Sequence, residues 1–256
     1  MNWEKYLELK KARLQSTQRF IPENENEAKQ ALALGIIGMG EYVEFSLTME
    51  PLVDSVHDPD PEIRKQAVQQ IAVNPTPFSI RLLHFMLNDS DEEVRLYAST
   101  ELDRIDGEMQ NQIFLLEEAL KKNARQPELR LQLAKITIDY ARLMMIGKNL
   151  QRFFLKKAIR LLDENIASDE QNAENYFYRG WALEMIGDFR AALRDLNTAL
   201  KLNPKESRAY VEMAQIYFTA GKFDWVRRLL DKAPIRQEEI EPFFTKKFWS
   251  EHEPIS

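Results

Sequence analysis

A segment of 34 residues occurs twice in succession near the end of this chain. The first copy spans residues 173–206 and has two stretches of helical periodicity with a turn between them, and the second copy starts at Ser207. Similar side chains recur at equivalent positions: Tyr176 and Tyr210, Gly180 and Ala214, Gly187 and Gly221, Phe189 and Phe223, Ala199 and Ala233. A fixed period of this length is typical of helical-repeat proteins, in which each repeat is one pair of helices.

The spacing of small and large residues in the first copy predicts how its two helices pack. Small residues at positions 180, 192 and 199 let two antiparallel helices approach closely, and Gly187 allows the chain to reverse between them. We expect Tyr176, Phe189 and Leu196 to fill the seam. One such hairpin cannot bury its apolar surface alone, so hairpins must stack into an α-solenoid with a concave and a convex face. The sequence therefore predicts an all-α protein.

This unit resembles a tetratricopeptide repeat, and Ala192 and Pro204 add to the matches named above. The resemblance implies a non-catalytic scaffold that binds another protein and needs no cofactor. First helices of this family face the concave groove, which places ten residues there: Phe177, Tyr178, Trp181, Glu184, Met185, Val211, Glu212, Gln215, Phe218 and Thr219. Carboxylate-clamp members carry an asparagine at the position of Trp181, so the clamp is not expected here. The aromatic, mildly acidic surface favours an apolar helix or peptide as partner.

A second repeat precedes the first one in the chain. Residues 58–67 match residues 89–98 at an offset of 31 residues, with aspartates, an arginine and an alanine at equivalent positions. This pattern resembles the short HEAT repeat and covers roughly residues 45–106. We expect the aspartates to cap helices whose first turns carry glutamates, because a carboxylate is favourable at a helix N-terminus. Arg64 and Arg95 are predicted to reach aspartates or carbonyls of adjoining repeats.

Further helices are predicted on either side of these repeats. Helical periodicity marks residues 2–19, Glu27–Ile37 and Tyr42–Val56, where Pro51 is expected to kink or restart the helix. Another helix is predicted over Glu108–Lys122, with Ile113, Leu116 and Leu120 inward, followed by a junction at residues 123–128. The expected domains are a HEAT-like region at 1–123 and tetratricopeptide repeats with a C-terminal capping segment at 124–256. No flexible linker separates them, so the sequence predicts one continuous solenoid.

Residues 127–171 depart from the 34-residue period. Ala158 keeps phase with Ala192, yet Ala134, the candidate small residue of the first helix, lies 46 residues before Gly180, an excess of 12. We expect this hairpin to have two longer helices. A lengthened first repeat followed by two regular ones, with short HEAT-like repeats upstream, resembles the cytosolic part of the PelE family of the Pel exopolysaccharide secretion apparatus.

The PelE resemblance implies a role in bacterial exopolysaccharide synthesis and biofilm formation. An inner-membrane Pel component is then the expected partner. Members of that family are anchored in the inner membrane by N-terminal helices, so the expected location is cytoplasmic, held at the membrane by an anchor or by a partner. The sequence itself shows neither a signal peptide nor a spanning segment, because its longest apolar run, residues 31–40, is half the length a bilayer needs.

Composition argues against several other functions. The formal net charge is −6 and no run of five like charges occurs, so nucleic acid is not expected as a partner. There is no cysteine, and the three histidines occur in separate contexts, so no metal site is predicted. Two alternatives to the scaffold stay open: a helical-repeat enzyme or accessory resembling bilin lyases, and a self-associating structural spacer.

The last 22 residues, 235–256, carry Phe243, Phe244, Phe248 and Trp249. So much apolar surface is unusual for a disordered tail. We expect the tail to cap the last helix or to lie in the groove on Phe177 and Trp181, and the cap is favoured because the tail follows the last repeat so closely.

Overall fold

The computed structural model describes Ala28, Ala31, Leu32, Tyr42 and residues 50–143 and 145–234. The helix predicted over residues 2–19 and the aromatic tail lie outside the described residues. Across the described ranges the structure contains ten complete helices and no strand, which confirms the all-α fold: α1 (Glu50–Val56), α2 (Pro61–Ile71), α3 (Pro77–Met86), α4 (Glu92–Lys122), α5 (Pro127–Leu143), α6 (Lys148–Ser168), α7 (Ala173–Met185), α8 (Phe189–Leu202), α9 (Ser207–Thr219) and α10 (Phe223–Lys232). None of these helices is both long and apolar enough to cross a bilayer.

The chain divides into two compact units, and the division falls between Arg104 and Ile105, inside α4. The prediction of a separate helix over Glu108–Lys122 is wrong, because one helix of 31 residues runs through the whole stretch. Gly107 does not interrupt it: a lone glycine costs a helix only about 1 kcal/mol.

In the first unit, the predicted aspartate caps are confirmed at α2 and α4. The Asp60 side chain accepts a hydrogen bond from the Glu62 N–H at 2.9 Å. Asp91 accepts one from the Glu93 N–H, also at 2.9 Å. Each cap stabilises its helix by supplying an acceptor to an N–H group that has no partner within the helix.

The two repeat arginines of this unit share one kind of contact, because Arg64, like Arg95, donates to the two carbonyl oxygens just before its own helix, those of Asp58 and Pro59. Arg64 donates to both carboxylate oxygens of Asp89, at 2.8 and 2.9 Å, and so links its own segment to the next one. Arg95 donates to the carbonyl oxygens of Asp89 and Ser90 just before its own helix. The prediction of a bridge between adjoining segments is therefore confirmed for Arg64, whereas Arg95 bonds within its own segment.

The described part of the second unit contains the C-terminal part of α4 followed by three successive hairpins, α5–α6, α7–α8 and α9–α10. The first hairpin has helices of 17 and 21 residues, against 13 and 14 in the second. This confirms the lengthening predicted from the break in the repeat period. As predicted, Ile113 of α4 faces inward, where it packs with Leu133 and Tyr140 of α5.

The seam between α7 and α8 is as close as the small residues predict. Ala192, Leu196 and Ala199 are fully buried. A Cβ atom at Gly180 would lie 2.9 Å from Leu196 Cγ. Phe189 does not fill the seam as predicted and is 39% exposed, because it opens α8 at a point beyond the end of α7.

Both hairpin turns use a glycine in the left-handed region. The φ angles are +87° at Gly187 and +69° at Gly221, a conformation that costs other residues more. At the first turn, the N–H groups of Gly187 and Asp188 donate to the carbonyls of Glu184 and Leu183, respectively. Two carbonyl groups at the C-terminal end of α7 thereby gain hydrogen-bond donors. The prediction of a tight reversal at Gly187 is confirmed.

A buried amide network joins the first two hairpins. The Asn165 side chain on α6 donates to the Pro127 carbonyl at 2.9 Å and to the Asn175 side chain on α7 at 3.3 Å. It also accepts a hydrogen bond from Arg130 at 2.8 Å. Asn165 therefore ties together the start of α5, the end of α6 and the start of α7, with both of its amide atoms bonded to protein.

Candidate partner-binding face

The first helices of the three hairpins lie side by side. α7 contacts α5 on one side and α9 on the other. We call the surface formed by these three helices the first-helix face. All ten residues predicted to bind a partner are on α7 or α9.

Three aromatic side chains of α7 form a cluster in the middle of this face. The ring centroid of Phe177 is 5.0 Å from that of Tyr178 and 6.1 Å from that of Trp181, and Tyr178 lies 6.2 Å from Trp181. Phe177 is only 2% exposed and Tyr178 is buried, while Trp181 is partly exposed. Phe177 thus forms the buried base of the cluster, and Trp181 is the member that is accessible to a partner.

Cations from both neighbouring helices lie over these rings. From α5, the Lys135 Nζ lies 4.9 Å from the Tyr178 ring centroid, and the Arg142 guanidinium carbon lies 5.5 Å from that of Trp181. From α9, the Arg208 guanidinium carbon lies 4.5 Å from the Phe177 centroid. Contacts of a cation with an aromatic face are favourable by about 0.5–2 kcal/mol, so the cluster is held in place from two sides.

Two of these cations are also held by carboxylates. Lys135 Nζ is 2.5 Å from Glu174 Oε1, and Arg208 Nε donates to Glu206 at 2.7 Å. Arg208 also donates to the Tyr178 hydroxyl at 3.2 Å. Lys135 and Arg208 each contact both an aromatic ring and a carboxylate. These contacts restrict the positions of the cations and of the rings beneath them.

Two carboxyl groups on this face have raised pKa values. Burial raises the pKa of Glu184 to about 7, and no charged group offsets the effect. Burial also raises the pKa of Asp139 on α5, although the nearby Arg142 and Lys135 act in the opposite direction. A carboxyl with a pKa near 7 changes its charge close to neutral pH.

The remaining predicted residues extend the face onto α9. Val211, Glu212 and Gln215 are half-buried, and Thr219 is exposed, with its hydroxyl bonded to the Gln215 carbonyl at 2.9 Å. Phe218 is buried, 8% exposed, and contacts the Phe223 ring, so it packs in the hairpin and adds no surface to the face. Met185 on α7 is half-buried and packs against the core cluster of the second unit.

Sequence reasoning missed the three cations. Lys135 and Arg142 lie in the irregular hairpin, where the 34-residue period could not align them. Their separation of seven residues, two helical turns, was the available signal that they share one face. Arg208 stands 34 residues after Glu174, so a charge of opposite sign occupies the equivalent position in the next repeat.

Comparison with known proteins supports the repeat assignment. A family model described as "Tetratricopeptide repeat" matches residues 186–241. The structure of a thermophilic TPR protein from Thermus thermophilus has a TM-score of 0.51 at 15% identity, covering 74% of this chain and 92% of that one. Two MamA crystal structures, at 22% and 23% identity, each have a TM-score of 0.42 and cover 58% and 59% of this chain and 86% and 94% of their own. None of the curated proteins matches the chain. The family match assigns a tetratricopeptide-repeat sequence to residues 186–241, and the Thermus structure is similar in its helical-repeat fold.

Proposed function

We propose that this chain is a non-catalytic scaffold that binds another protein through the first-helix face. One observation carries the proposal. The cluster of Phe177, Tyr178 and Trp181 is fixed by cations from both flanking helices, and this leaves Trp181 as a rigid, partly exposed anchor. Large aromatic side chains that are already ordered lose little entropy on binding, and they dominate many protein interfaces.

An apolar helix or peptide is the segment that this face fits best. Trp181 and the flexible Met185 offer apolar contact, and the half-buried Val211 continues it onto α9. Glu212 and Gln215 provide a polar rim. Helix-in-groove recognition uses this combination of a few apolar anchors with polar edges.

The specific role that we propose is assembly of a bacterial Pel-type exopolysaccharide synthesis and export complex, with an inner-membrane component as partner. The support is the sequence resemblance, which includes a lengthened repeat ahead of two regular ones. The lengths of α5 and α6, 17 and 21 residues, agree with the lengthened repeat on which this resemblance is based. A cytoplasmic location at the inner membrane follows from the same proposal. The gene should then lie among genes for a glycosyltransferase and membrane proteins of polysaccharide export.

Two tryptophan substitutions test the binding face. The cytosolic domains of the inner-membrane Pel components encoded beside the gene are the probes, and affinity is measured by calorimetry. Trp181→Ala should weaken binding by about 30-fold, the loss expected for a central aromatic anchor. Trp225→Ala is the matched control, because Trp225 is 54% exposed, lies on the second helix α10, and stacks on Tyr217, which is not among the ten residues predicted to bind a partner.

The two variants separate the possible outcomes. Binding that survives Trp181→Ala would place the partner on another surface and refute the proposed face. Equal losses in both variants would point to general destabilisation, which circular dichroism of each variant would reveal. Absence of binding to every Pel component would remove the Pel assignment and leave the scaffold without its proposed partner.

A further inference from the structure

The exposed side of α6 differs in charge from the rest of the molecule. Between Asp139 and Asp163 the sequence contains six basic residues and no acidic one, although the whole chain has a net charge of −6: Arg142, Lys148, Arg152, Lys156, Lys157 and Arg160. Lys148, Arg152, Lys156 and Arg160 are all exposed on α6. A local excess of this size in an acidic protein marks a surface that attracts anions.

The acidic groups near these cations are already engaged. Glu117 of α4 pairs with Lys157, and Glu118 pairs with Lys121 at 2.5 Å. At the far end of α6, Asp163 pairs with Arg179 at 2.7 Å. Within the described residues, Lys148, Arg152, Lys156 and Arg160 make no ion pair and no side-chain hydrogen bond. Their charges are therefore available to a partner.

Apolar side chains protrude among these cations. The described part of the second unit has six exposed large apolar side chains, and four of them lie on α4 or α6: Phe114 at 56%, Leu115 at 57%, Leu150 at 46% and Phe153 at 55%. Phe114 stands three residues before Glu117 and Phe153 stands four residues before Lys157, so each aromatic ring lies one helical turn from the ion pair that joins α4 to α6. The opposite side of α6 is buried, with Leu155, Ala158 and Leu162 in the core.

We propose that this basic and apolar side of α6, with Phe114 beside it, docks on the surface of an anionic phospholipid bilayer. A bilayer surface offers phosphate groups to the cations and, directly beneath them, an apolar layer to phenylalanine and leucine side chains. The surface is distinct from the first-helix face and does not depend on the partner proposed above.

Geometry favours a bilayer over an acidic polypeptide or a nucleic acid. The cations and the apolar side chains project from the outer side of α6, the second helix of its hairpin, whereas a bound peptide is better held by a groove between helices. Phosphate backbones would engage the cations, but they would leave Leu150 and Phe153 exposed to water. Only a partner with an anionic layer over an apolar one uses both sets of side chains.

Co-sedimentation of the full chain with lipid vesicles tests the proposal. Vesicles of phosphatidylcholine with about 30% phosphatidylglycerol should bind the chain, and pure phosphatidylcholine should bind it far less. Each cation near an anionic surface contributes about fivefold to the partition coefficient, so Arg152→Gln with Lys156→Gln should reduce it by about 30-fold. Phe153→Ala should reduce it by about tenfold.

A matched control comes from α8, the second helix of the next hairpin. Arg190 and Arg194 are also exposed and four residues apart, so Arg190→Gln with Arg194→Gln changes the net charge equally. This control should bind vesicles like the unmodified chain. All substituted side chains are exposed, and unchanged circular dichroism spectra would exclude misfolding as the cause of any loss.

Three results would overturn the proposal. One is the absence of binding to anionic vesicles. Another is an equal loss in the α6 and α8 variants, which would indicate net charge without a defined surface. The third is retention on immobilised polyglutamate or duplex DNA, dependent on Arg152 and Lys156, without vesicle binding, because the surface would then serve an acidic protein or a nucleic acid.

Discussion

Adding one methyl group at Gly180 should destabilise the protein, although alanine is the better helix former. The new Cβ would lie 2.9 Å from Leu196 Cγ and 3.2 Å from the Ala192 carbonyl oxygen. Carbon atoms are most favourable at about 3.5–4.0 Å, and the carbonyl oxygen belongs to the backbone of α8, so the helices must separate. Overpacking of this kind costs about 1–3 kcal/mol, against a gain of about 1 kcal/mol in helix propensity. We expect Gly180→Ala to lower the free energy of unfolding by up to about 2 kcal/mol, and Gly180→Leu to lower it further.

Gly107→Ala is the control for this substitution. Gly107 lies inside α4, is exposed, and a Cβ added there would meet no atom within 4 Å. The same substitution at this position should raise the free energy of unfolding by about 1 kcal/mol. Both variants change the unfolded chain in the same way, so the difference between them isolates the clash at the seam. Urea unfolding followed by circular dichroism measures both, and equal stabilisation by the two substitutions would refute the close approach of α7 and α8.

Two further predictions concern α7 and the turn that follows it. Burial raises the pKa of Glu184 from the ordinary value of 4.5 to about 7 in the folded protein. Its ionisation therefore destabilises the fold increasingly as the pH rises between these two values. Glu184→Gln should remove this pH dependence of the free energy of unfolding. The free energy of unfolding of the variant relative to the unmodified chain should rise by about 2 kcal/mol between about pH 5 and pH 8 in urea titrations, and a constant difference would contradict the buried position. Gly187→Ala should lower the free energy of unfolding by about 1 kcal/mol, because φ is +87° there and no atom lies within 4 Å of a Cβ, so the cost is one of backbone conformation alone. A melting temperature equal to that of the unmodified chain would show that the turn does not require glycine.

The features that sequence predicted well depend on local chemistry or on the repeat period. Gly187 and Gly221 are conspicuous because helical hairpins of this length need a left-handed residue at the turn. Asp60 and Asp91 were recognisable as caps because each stands directly before a helical pattern. The longer helices of the first hairpin followed from counting the residues by which the period was exceeded.

Features that depend on packing between distant segments were predicted less well. Phe189 matches the repeat pattern, yet its exposure depends on where α7 ends. The helix predicted over Glu108–Lys122 is the second half of α4, because the residues on both sides of Gly107 continue one helix. The cations over the aromatic cluster come from α5 and α9, 30 or more residues away from their rings, and a sequence pattern does not show which helices become neighbours.

The amide network around Asn165 has a consequence for how such an array can evolve. Thirty-four residues after Asn165 and Asn175 the chain carries Ala199 and Ala209, both fully buried. The junction between α6 and α7 is therefore closed by paired amides, and the equivalent junction between α8 and α9 by two methyl groups. A duplicated or transplanted hairpin without a matching amide would remove the hydrogen bond from Asn165 to Asn175 and leave one N–H of the buried Asn165 amide without an acceptor, at a cost of about 1–3 kcal/mol, while the bonds to Pro127 and Arg130 within its own hairpin would remain. We therefore expect gain or loss of a repeat to be tolerated better after the second hairpin than before it. The hydrogen bond between Asn165 and Asn175 specifies that the second hairpin follows the first.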